Sequence, residues 1–191
     1  MTKTDFYTKL NEWKTWANTN NQYDIGLLKI WINFEKFYSE IFLIYSLGGA
    51  SEDGFSPTRR LCFDEDKQFY AFVKNPNSSF IDYTKQIPAL SPFIFSYNPF
   101  DIFITDSIYK PVFLEVTRIR NYIAHESAES KNKLKSLPQF SEDYIDNLNS
   151  YLMLRKNNTR ESIFTYYVDR IKEMAEIISN PHATTTTTAS P

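Results

Sequence analysis

The chain has 191 residues, 42% of them hydrophobic and 17% aromatic, with 16 Phe and 13 Tyr against 4 Gly; this suits one aromatic-rich core and leaves little room for a second. A net charge of -2 and a pI near 5.7 exclude a global basic field that gathers nucleic acid non-specifically, so any attraction to nucleic acid must come from a local patch. The single cysteine, Cys62, excludes an intrachain disulfide framework and a paired-thiol metal or redox centre, which points to a reducing cytoplasm.

Residues 1–10 mix Lys, Asp and Thr with apolar positions and lack the continuous apolar stretch of a signal peptide. Phe6, Leu10, Trp13 and Trp16 recur at spacings of three and four, which predicts a first helix over 5–17 and a turn in the Asn-rich stretch 18–22. A long amphipathic helix follows over 22–48, with Ile25, Leu28, Ile32, Phe34, Phe37, Phe42 and Ile44 as its apolar positions and Gly48-Gly49 as its stop. The longest apolar segment, 41–47, is far below the roughly 20 residues needed to span a bilayer, so no membrane insertion is expected.

Between 50 and 106, Pro57, Pro76, Pro88, Pro92 and Pro99 punctuate short aromatic runs such as Phe93-Ile94-Phe95, which reads as an irregular insertion of short helices and loops with room for a hairpin. Helical periodicity returns over 107–127, where Val112, Val116, Ile119 and Ile123 form one stripe and Pro111 sits in the first turn. The Lys-rich stretch 131–137, ending at Pro138, reads as an exposed linker; helices over 142–154 and 161–178 follow. Residues 181–191, with a Thr run and His182, read as a disordered tail after a single domain over 1–180.

Arg120-Asn121-Tyr122-Ile123-Ala124-His125 places a permanent cation and the only histidine outside the tail within one and a half helical turns. At about 100° per residue with Val116 at zero, the apolar stripe spans roughly -60° to 0°, Asn121 falls near 140° and His125 near 180°. Thr117, Asn121 and His125 therefore form a polar stripe opposite the apolar one, and Arg120, near 40°, must reach around on its long stem. Such a stripe is either solvated or meets its own copy across a two-fold axis, gathering two Arg and two His into one cleft. Histidine exchanges protons near neutral pH and arginine binds phosphate bidentately, so that cleft suits cleavage of RNA without a metal or other cofactor.

Arg120-Asn121-Tyr122-Ile123-Ala124-His125-Glu126-Ser127 resembles the Arg-Asn-x-x-Ala-His form of the HEPN superfamily motif, and the long helix containing Phe34-Glu35 is similar to the first core helix of those domains. The resemblance implies an all-α, HEPN-like helical bundle that forms a homodimer with a composite active site. In active members it implies an endoribonuclease leaving 2',3'-cyclic phosphate and 5'-OH ends, often a toxin or anti-phage effector held in check by an antitoxin or immunity protein. By position, Arg120 would stabilise the phosphate, Asn121 would shape the site and His125 would be the acid/base, with Glu35 orienting Arg120 and Glu126 and Tyr122 as supporting neighbours. A subgroup carries a tyrosine two residues after the histidine as a modification site; this chain has Ser127.

Other readings of the same residues stay open: a salt bridge between Arg120 and Glu35, local capping by Asn121, and a non-catalytic nucleotide- or protein-binding module of the same fold. Arg118, Lys131 and Lys133 offer a modest path for an RNA backbone or an ordinary solvated helix end. There is no Gly-rich phosphate loop, GxSxG elbow, DxD or HExxH arrangement to support a kinase, hydrolase or metal-centre reading.

Overall fold

The computed structural model describes residues 1–74, 81–137, 140, 142–156 and 160–181; of the predicted tail 181–191, all but Pro181 lies outside them. Helix α1 (Lys3–Asn20) starts at Thr2, whose hydroxyl accepts from the Asp5 N–H at 3.0 Å while the Asp5 carboxylate accepts from the Thr2 N–H at 3.0 Å. This reciprocal cap satisfies two donors left open at a helix start. The helix runs through most of the predicted turn, because the Thr19 and Asn20 side chains bond back to the Thr15 and Trp16 carbonyls. Only Asn21, in the left-handed region at φ 53°, and Gln22 connect it to α2 (Tyr23–Ser46). Gly26 lets the two helices touch: a Cβ there would sit 2.5 Å from that of Ala17.

The roll of α2 differs from the expected stripe. Phe34, Phe37 and Phe42 are buried as read, but Ile25 and Leu28 are only half-buried, and Ile32 and Ile44 are exposed. The buried face is set instead by Leu27, Ile30, Trp31, Tyr38, Ile41 and Tyr45. The large aromatics carry the most apolar area, so the helix turns to bury them and leaves the smaller Ile side chains at the edges. The helix ends as predicted at the glycines: Gly48, at φ 85°, donates to the Tyr45 carbonyl and Gly49 to that of Ile44. Arg59 closes this end, donating to the Ser46 carbonyl at 3.0 Å.

The insertion holds α3 (Asp66–Val73), α4 (Tyr83–Ile94) and a 3-10 turn (Asp101–Phe103). Its aromatics fasten it to the second half of α2: the rings of Phe69, Phe95 and Phe100 lie 5.5, 5.9 and 5.3 Å from that of Phe42. In place of a hairpin, the described residues of this segment show one isolated bridge, Arg59 to Phe95. Pro88 and Pro92 lie inside α4 rather than between elements; each removes one N–H from the ladder, and burial of Ile87, Ser91 and Ile94 against the core holds the helix regardless.

Helix α5 (Tyr109–His125) buries Val112, Phe113, Val116 and Ile119, with Ile123 half-buried. Phe113 joins it to α2 and the 3-10 turn, its ring 5.4 Å from Trp31, 5.7 Å from Tyr38 and 4.6 Å from Phe103. The predicted linker 131–137 is largely helical, forming most of α6 (Ala128–Lys135). Ser127 caps it, Ser130 answers as the reciprocal partner, and both Ser130 and Leu134 are buried. Of the Lys residues that suggested a linker, Lys133 is exposed and Lys131 and Lys135 are half-buried. The predicted helix over 142–154 is two, α7 (Glu142–Asp146) and α8 (Leu148–Met153), divided at Asn147, whose side chain accepts from the Ser150 N–H at 3.1 Å. Helix α9 (Ile163–Ser179) completes the chain of elements.

Helix α2 is the hub: α1, α5 and α9 pack on it and α9 also meets α1 and α5, giving an all-α bundle with α4 and α8 against the same central helix. Asn149 of α8 ties the α1–α2 turn, accepting from the Tyr23 N–H at 2.6 Å and donating to the Asn21 carbonyl at 2.9 Å. Among the described residues no helix is long and apolar enough to cross a membrane.

Candidate active site

Of the predicted site residues, Arg118, Arg120, Asn121, Tyr122 and His125 lie on α5, Glu35 on α2, Glu126 at the C-cap of α5, and Lys131 and Lys133 on α6. Val112, Val116 and Ile119 turn the opposite face of α5 to the core, so Asn121 is half-buried and His125 exposed. Thr117, on the same polar stripe, is satisfied by its own helix, donating to the Phe113 carbonyl at 2.7 Å. His125 is the last residue of α5 and makes no side-chain hydrogen bond or ion pair among the described residues. Arg120 precedes it by about 7.5 Å along the axis at 1.5 Å per residue.

Arg120 does reach around its helix, and its guanidinium is gripped at both ends. Nη2 lies 3.2 Å from Glu35 Oε2 of α2, and Nη1 donates to Asn121 Oδ1 at 2.9 Å. Nε is buried without a hydrogen-bond partner among the described residues. The two charged side chains sit in the seam between helices with 27% and 22% of their surface exposed. Burial pushes the Glu35 carboxyl above its ordinary range; the positive charge of Arg120 and the indole N–H of Trp31 oppose that rise, and the negative charge of Asp82 adds to it. The Trp31 nitrogen makes no well-formed hydrogen bond, so its help to the carboxylate is weak.

Trp31 and Asp82 were not singled out in the sequence. Trp31 had a usable signal, since it lies one turn before Glu35 and so on the same flank of α2. Asp82, before α4 begins, had none, because nothing local says that the insertion folds back near α2. Burial raises the Asp82 carboxyl, but bonds from Lys85 Nζ at 2.8 Å and Thr84 Oγ1 at 2.7 Å more than offset it and leave it below the usual range.

Tyr122 is half-buried against the core, and its carbonyl accepts from the Glu126 N–H at 2.8 Å. Glu126 is exposed and takes the left-handed conformation, φ 45°, that separates α5 from α6. Ser127, at the position of the modifiable tyrosine, is the N-cap of α6. The three cations expected on the RNA path all have partners: Arg118 donates to Ser136 Oγ at 3.0 Å, Lys131 pairs with Asp146 and Lys133 with Glu129. Such exposed pairs are weak and exchange readily with other anions. No three His, Cys, Asp or Glu side chains among the described residues gather closely enough to hold a metal ion.

Comparison of the chain with protein-family models, with curated proteins and with solved structures finds no match in any of the three.

Proposed function

We propose that this chain is a metal-independent endoribonuclease of HEPN type that works as a homodimer in the cytoplasm, in the role of a toxin or anti-phage effector restrained by an antitoxin or immunity protein. The observation that carries the reading is the face of α5: an exposed imidazole at the helix end, a half-buried Asn, and a guanidinium fixed in the adjoining seam. Leu114, 44% exposed on the same outward face, supports pairing of this face with its own copy, since an apolar side chain there gains from being covered.

In the reaction, the 2'-oxygen attacks the adjacent phosphorus as His125 of one subunit takes the 2'-OH proton; the P–O5' bond breaks, and the leaving oxygen takes a proton from the second His125. The products are a 2',3'-cyclic phosphate and a 5'-OH end. Arg120 meets the charge that grows on the phosphoryl oxygens, where a preoriented guanidinium acts most strongly.

The test is digestion of total RNA in EDTA by the parent, Arg120→Ala and His125→Ala. Cleavage by the parent that persists in chelator and is lost in both variants is the expected result. The acidic pI near 5.7 favours a second reading, a non-catalytic nucleotide- or protein-binding module; a well-folded dimer that leaves RNA intact would establish it over the first.

A further inference from the structure

The guanidinium of Arg120 is not waiting for a ligand. Each of its terminal nitrogens has a partner, Glu35 on Nη2 and Asn121 on Nη1, and its Nε is closed off from solvent. A phosphate arriving at this cation therefore cannot use the Nε edge without displacing side chains, and on the Nη edge it meets a carboxylate already in place. We infer that Glu35 is a competitor for Arg120, holding the cation in position while keeping its affinity for phosphodiesters low until RNA displaces the carboxylate. This rests on the reading of the α5 face as an RNA site, and it makes Glu35 a positioning residue that acts only through Arg120.

Two features of the seam suit such a role. Asn121 holds the guanidinium from a second side, so Arg120 stays oriented when Glu35 lets go. The carboxylate is also poorly solvated: burial raises its proton affinity, Arg120 and the Trp31 N–H only partly offset this, and the negative charge of Asp82 adds to the rise. A group held so is readily displaced, by protonation or by a better anion.

The experiment measures binding of a fluorescent oligouridylate at fixed ionic strength from pH 5 to 8, a range in which uracil takes up no proton. The double variant His125→Ala, His182→Ala is the common background, which suppresses cleavage and removes both histidines of the chain, and Glu35→Gln and Arg120→Ala are added to it separately. Glu35→Gln keeps the size and the hydrogen-bonding oxygen, and thermal melting checks that it folds. Competition predicts binding at pH 7.5 several-fold tighter in Glu35→Gln, affinity that rises on acidification in the background protein, and no such rise in the Gln variant. If Glu35→Gln binds as the background does or more weakly, while Arg120→Ala still abolishes binding, Glu35 is not a competitor and the RNA site stands. If Arg120→Ala changes nothing, the RNA site and the competition fall together.

Discussion

Arg120 and His125 stand differently toward the fold, and their variants separate stability from chemistry. His125 is exposed and has no side-chain partner among the described residues, so His125→Ala should leave the melting temperature within about a degree or two of the parent while removing cleavage. Arg120→Ala removes the partner of a half-buried carboxylate, and a cost of about 1 kcal/mol is expected by chemical denaturation, the partial exposure of the pair keeping the figure low. For Glu35 the sign follows from its raised carboxyl. The folded state binds the proton more tightly than the unfolded one, so this group favours folding fully below its ordinary value near 4.5 and loses that contribution as pH rises through the folded value. Melting curves of Glu35→Gln against pH should therefore run above the parent at neutral pH and converge with it toward pH 4; a gap that widens on acidification would contradict this. The sequence alone placed Arg120, Asn121 and His125 on their faces, because helical geometry fixes direction once the apolar stripe is known. It offered Glu35 as a partner for Arg120, but not Trp31 or Asp82, since the electrostatics of a seam depend on what folds over it.

Helices whose direction was set by one dominant apolar stripe were readable, and those with competing apolar faces were not. In α5, Val112, Val116 and Ile119 are buried as read, with Phe113 added to the buried face and Ile123 only half-buried. In α2, apolar residues occur nearly all round, and choosing between Ile32 and Trp31 needs the volumes of the neighbours, which no local pattern contains. The same limit hid α6, where Lys131, Lys133 and Lys135 dominate the composition and a single buried Leu134 anchors the element. Close packing at the α1–α2 turn gives the sharpest expectation at this scale. Gly26→Ala puts a methyl 2.5 Å from that of Ala17, with little freedom for two packed helices to move apart, and should cost about 1–3 kcal/mol in urea unfolding. Gly54, at φ 82° but with open space around it, is the control: Gly54→Ala carries backbone strain without the clash and should cost about 1 kcal/mol.

For the whole molecule the central expectation is pairing through α5. Leu114→Glu puts a charge on the outward face without touching the buried stripe, so sedimentation should show a monomer, with an unchanged helical spectrum and cleavage lost in proportion; a fully active monomer would remove the composite site from the mechanism. A different consequence comes from Asn149. By taking the Tyr23 N–H and donating to the Asn21 carbonyl, it fastens the bend between the first two helices with a residue made more than a hundred positions later, and α9, later still, covers the same central helix. Contacts of such long sequence separation form late. During synthesis, then, the Arg and His of α5 leave the ribosome before α8 and α9, which pack on the same central helix, have been made. On the proposed reading, the site on α5 stays unassembled on the nascent chain until α9 has been added.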